Sequence, residues 1–114
     1  MMNITTSQND QLPYYEIPEA SDSYTAGTVV ARMIDGLGFR YYWATEGLRA
    51  EDLTFKPSDD ARTAGETVDH IYGLTKMILN SALKQPNEAS DLIEMTFVEK
   101  RAKTLNMLKQ AADI

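Results

Sequence analysis

Apolar residues recur at three- and four-residue steps along three stretches of this chain, the spacing of one face of an α-helix. In the first stretch Ala26, Val30, Met33, Ile34, Leu37, Tyr41, Ala44 and Leu48 fall into register. Ser21 or Asp22 can cap its start, because a short polar side chain there accepts from exposed backbone N–H groups. A helix is therefore predicted from about residue 21 to Glu46, with Gly47 as its stop, since glycine readily takes the left-handed conformation that ends many helices. Gly36 and Gly38 lie inside it. Each costs about 1 kcal/mol relative to alanine, so they either weaken the middle or let another helix approach closely.

The second helix is predicted to begin at Thr63, with Glu66 three residues later. That pair is a capping box, in which each side chain accepts from the backbone N–H of the other's residue. Val68, Ile71, Thr75, Ile78 and Ala82 make one stripe of this helix, and His70, Leu74 and Met77 a neighbouring one, up to about Lys84. Thr96 and Glu99 repeat the capping box, and Val98, Ala102, Leu105, Leu108 and Ala112 mark a third helix with no glycine or proline terminator after Asp113. Residues 49–62 read as a polar connection anchored by Leu53 and Phe55, and residues 86–94 as a second one. Residues 1–20 contain Pro13, Pro18 and a Tyr14-Tyr15 pair, and read as an extended arm docked on the body or on a neighbouring subunit.

No stretch alternates as a strand would, so the fold class expected is all-α, an up-and-down bundle over residues 21–114. Three amphipathic helices leave apolar stripes that a fourth helix or a second copy of the chain would cover better. A homo-oligomer is therefore expected. Phe39, Tyr41, Tyr42 and Trp43 crowd more than one helical face and are assigned to core or interface packing.

At 114 residues the chain has the length of a single domain. Its net charge of −6, with basic residues scattered, argues against nucleic acid and anionic membranes as partners. There is no cysteine, which excludes disulfides, thiolate metal sites and cysteine nucleophiles. With no apolar signal region in residues 1–20 and no apolar run long enough to span a bilayer, a cytoplasmic location is expected.

His70 is the only histidine. A neutral imidazole is a good ligand for zinc, nickel or iron, but a histidine in this setting also serves as a hydrogen-bonded packing residue. Glu66 lies four residues earlier on the same face and can orient it, unless the capping box uses Glu66 fully. Asp69 points about 100° away around the helix and is a poor co-ligand. A catalytic zinc takes three protein ligands, and no spacing in the sequence nominates the other two.

Leu53-x-Phe55-x-Pro57, then Thr63-x-x-Glu66-x-x-x-His70-Ile71, follow a first helix ending in Tyr41-Tyr42-Trp43-x-x-Glu46-Gly47-Leu48. This pattern resembles the DinB/YfiT-like family of metal-dependent four-helix-bundle proteins, over residues 22–114. The resemblance implies that His70 matches the family's first metal histidine and Glu66 the acidic residue before it. It also implies a divalent metal, and a metal-dependent hydrolase or thiol transferase acting on a small-molecule substrate that the sequence does not identify. Tyr41 and Trp43 would be walls of such a pocket. The family's other two ligands come from a His-x-x-x-His pair on a fourth helix, and neither is present here. Two expectations follow: a C-terminally truncated copy of a longer protein, or a natural short member that completes its bundle by self-association. The alternative function is a non-catalytic helical module acting through homodimerisation or protein interaction.

Overall fold

The computed structural model describes residues 12–88 and 95–114. Residues 1–11 of the arm and 89–94 of the second connection lie outside the described residues. Three α-helices form, α1 (Ala26–Thr45), α2 (Ala64–Leu83) and α3 (Phe97–Ala112), with a short 3₁₀ helix at Ala50–Thr54. Among the described residues there is no strand, so the all-α expectation holds.

Each α-helix opens on a reciprocal cap. The Thr63 hydroxyl accepts from the Glu66 N–H at 3.0 Å while Glu66 Oε1 accepts from the Thr63 N–H at 2.8 Å. Thr96 and Glu99 repeat this at 3.1 and 3.0 Å. The first helix starts later than the sequence suggests. Thr25, not Ser21 or Asp22, is the cap, because Thr28 answers it: Thr28 Oγ1 accepts from the Thr25 N–H at 2.8 Å and Thr25 Oγ1 from the Thr28 N–H at 3.1 Å. A threonine thus fills the place usually held by Glu or Gln in such a box. Gly47 has φ +78° just beyond α1, as its predicted role requires. Lys84 ends α2 in the left-handed region, and its N–H donates back to Asn80 and Ser81.

α3 packs against both α1 and α2, and the 3₁₀ helix packs on α2. Leu105 and Leu108 of α3 are wholly buried and meet Tyr41 and Tyr42 of α1 in the main core cluster. Tyr72, Val68 and Thr75 are the buried residues of α2. α1 buries Asp35, Gly38, Tyr41, Tyr42 and Thr45, so of its predicted apolar stripe only Tyr41 is buried, whereas Val30, Met33 and Leu37 are exposed. Period alone identified the helix. Which of its faces would be covered depended on what else lay against it.

The arm is what covers part of that side. Tyr14 is buried, with φ +77°, and its hydroxyl donates to Asp35 Oδ1 at 2.9 Å. Its ring lies so close to Gly38 that an added Cβ would stand 2.4 Å from two ring carbons. Gly38 therefore admits the arm, not another helix. Trp43 Nε1 donates to the Tyr15 carbonyl at 3.0 Å, and the Tyr15, Tyr42 and Trp43 rings pack edge-on or tilted with centroids 5.1–5.8 Å apart. The strap is thus docked on the chain's own body.

Candidate functional site

His70 lies two turns into α2 and is exposed. It neither points into the three-helix core nor sits under apolar side chains. It lines a concavity of about 550 Å³ on the outer face of α2, together with Glu66, Asp69, Leu74, Met77 and Asn80, and with Asn87 and Glu88 from the following connection. Asn80 Nδ2 donates to Asn87 Oδ1 at 3.1 Å, which holds that connection against the end of α2.

The carboxylates near His70 are partly committed. Glu66 lines the concavity, and its Oε1 accepts from the Thr63 N–H in the cap. Asp69 is ion-paired with Lys100 of α3, whose side chain is largely buried. Asp69 therefore ties α2 to α3. Among the described residues no three His, Asp or Glu side chains converge as a metal-binding group. His70 is available as one ligand and Glu66 as an orienting neighbour, short of the three that a catalytic zinc takes.

A second feature gives the uncovered apolar stripes expected from the sequence a definite place. α1 and α2 both pack on α3, and on the open side between them runs a groove of about 730 Å³. Leu37, Tyr41, Ala44 and Leu48 of the first helical stripe line one wall, Ala64, Thr67, Val68 and Ile71 the other, and Phe55 and Pro57 one end. Phe55 is 65 % exposed, so it does not anchor the connection as predicted; Leu53 does, lying against Gly65 with its carbonyl 3.1 Å from where a Cβ would be. Tyr41 lines the groove, as expected of a pocket wall, while Trp43 instead packs with the strap. Among the described residues the Thr75 hydroxyl is buried without a hydrogen-bond partner, an uncommon condition for buried polar groups, and the buried Tyr41 hydroxyl lies near Thr104. Burial pushes the Tyr41 phenol above its ordinary pKa.

The third polar centre is Arg101 of α3, which the sequence shows only as one of its scattered basic residues. Its Nη2 donates to the Tyr42 carbonyl at 2.8 Å and lies 3.0 Å from Glu46 Oε1, and its Nε donates to Thr45 Oγ1 at 2.7 Å. Its guanidinium carbon stands 4.4 Å from the Tyr42 ring centroid. The last carbonyls of a helix lack intrahelical partners and carry partial negative charge. Arg101 is therefore a buried cap on the C-terminus of α1, a structural role.

The chain matches no family model, and no curated protein or solved structure matches it. No helix among the described residues is long and apolar enough to cross a membrane.

Proposed function

We propose that this chain forms three helices of a DinB/YfiT-like four-helix bundle, and that His70 contributes one ligand to a divalent metal site. The observation that carries this reading is the groove. α1 and α2 flank α3 and turn apolar side chains into the open side between them, which a fourth helix would cover. That helix would sit across from α3, an order other than that of a simple up-and-down bundle, whose first and second helices are neighbours. His70 and Glu66 share one open concavity, which supports a ligand with an adjacent carboxylate. The activity that goes with this reading is that of a metal-dependent hydrolase or thiol transferase; its missing ligands would have to reach past the Thr67 and Ile71 wall of the groove to His70 on the outer face of α2. Elemental analysis of tag-free protein and of its His70→Ala variant tests it. Stoichiometric zinc, nickel or iron lost on mutation supports a metal site; protein that takes up none even after reconstitution removes it.

One observation favours a second reading, a non-catalytic module that acts by homodimerisation or protein interaction. Val30, Met33 and Leu37 form an exposed apolar line along α1 that continues into the groove. Exposed apolar surface of this kind marks interaction sites. Sedimentation velocity across a concentration series separates the two: a dimer broken by Met33→Glu, with His70→Ala silent, would favour the module.

A further inference from the structure

We infer that the occupant of the groove is an amphipathic helix that carries carboxylates along its flanks. This rests on reading the groove as an unfilled helix position and is independent of His70.

The argument is one of charge. The chain has seventeen acidic residues against eleven basic ones. Yet among the described residues no Asp or Glu lines the groove, and the charged side chains that do are Arg40 and Arg62. They stand on opposite walls, Arg40 on α1 and Arg62 just before α2, and both are exposed. Arg40 makes one hydrogen bond, to the Gly36 carbonyl at 3.2 Å, and neither arginine has a carboxylate partner among the described residues. Elsewhere among the described residues Arg49, Lys100, Arg101 and Lys109 are each paired with an acid, whereas Arg32, Lys56, Lys84 and Lys103 are not. What sets Arg40 and Arg62 apart is their place at the rim of an apolar groove, although Arg62 also borders the His70 concavity. An apolar floor between two unpaired cations selects an apolar helical face bordered by acidic residues, a helix-in-groove mode of recognition. Charge at such a rim governs which partner docks more than how much apolar area is buried.

The test uses two fluorescent synthetic helical peptides of 18 residues. Both have Leu and Ile at i, i+3, i+4 and i+7; one carries Glu on its flanks and the other Lys. The expected result by fluorescence anisotropy at low salt is about tenfold tighter binding of the Glu peptide, the scale of two partly exposed ion pairs. That preference should shrink as salt is raised. The double variant Arg40→Glu/Arg62→Glu should reverse it, and Leu37→Glu should abolish binding of either peptide. Circular dichroism confirms that each variant keeps its helices.

Equal binding of both peptides overturns the charge assignment while leaving the groove a helix site. Binding of neither peptide overturns the assignment and the unfilled-helix reading together. A self-dimer that Leu37→Glu dissociates and that excludes both peptides overturns it in favour of a second copy of this chain.

Discussion

Gly36 and Gly38 offer a decisive test, because they are two residues apart in one helix and should respond to alanine with opposite signs. Glycine to alanine in a helix interior gains about 1 kcal/mol. At Gly36 the new Cβ would meet Arg40 Nη1 at 3.0 Å, the far end of a flexible exposed side chain that can move aside. Gly36→Ala should therefore stabilise the protein by about 0.5–1 kcal/mol. At Gly38 the Cβ would meet Tyr14 ring carbons at 2.4 Å. Tyr14 is 3 % exposed and hydrogen-bonded to Asp35, so the ring cannot yield without undocking the strap. Undocking forfeits roughly 2 kcal/mol of side-chain burial and about 1.5–3 kcal/mol for a hydrogen bond to a carboxylate. Helix propensity returns about 1 kcal/mol, and the freed strap regains some conformational entropy. A net loss of about 2 kcal/mol is expected for Gly38→Ala. Urea unfolding of the two variants beside the parent, followed by circular dichroism, measures both. A Gly38→Ala protein more stable than the parent would refute the packing of Tyr14 against α1.

Tyr14→Phe keeps the ring and removes the bond to Asp35, and should cost about 1.5–3 kcal/mol in the same assay. Burial, followed by the Asp35 hydrogen bond and charge, raises the Tyr14 phenol far above its ordinary value of 10.0. A raised folded pKa means that the folded state resists deprotonation. Its stabilisation is full below the unfolded value and is lost as pH rises beyond it, so the gap between parent and Tyr14→Phe should narrow above about pH 10. Asp52 accepts from the Arg49 guanidinium and from its backbone N–H, which depresses its pKa from 3.8 to about 2. The stabilisation that goes with a depressed carboxylate is present above its unfolded value and lost as pH falls toward about 2. NMR titration should find Asp52 still ionised at pH 3, and Arg49→Ala should move its midpoint up toward the ordinary carboxylate range. Arg101→Ala uncaps the Tyr42 carbonyl and removes the cation from its ring, and should cost about 3 kcal/mol. Arg101→Lys should recover only part of this, because lysine lacks the planar fork. A loss below about 1 kcal/mol for Arg101→Ala would sink the capping role.

Much of the local structure was legible in the sequence. The Thr63–Glu66 and Thr96–Glu99 boxes, the Gly47 stop and the end of α2 at Lys84 all depend on residues within a few positions of one another. Short-range hydrogen bonds and backbone preference decide such features. The same logic missed the start of α1 only because Thr25 and Thr28 form a box from two threonines. Helical period likewise identified three helices without contacts between them.

Which face of each helix is covered could not be read that way. The apolar stripe of α1 was the natural candidate for burial, yet of that stripe only Tyr41 is buried, beside Asp35, Gly38, Tyr42 and Thr45. They are covered because the Tyr14 strap and Arg101 arrive from 21 and 56 or more residues away. Gly36 and Gly38 are alike as letters and differ only in whether a tyrosine ring lies above them. His70 was visible as the single histidine, but its exposure on the outer face of α2 follows from α3 taking the Val68, Tyr72 and Thr75 side. The sequence determined by itself that there are helices and where they begin and end, because those are contests among neighbouring residues. The strap, the buried arginine and the open groove with its two arginines were decided by tertiary structure, because each is a meeting of surfaces far apart in the chain.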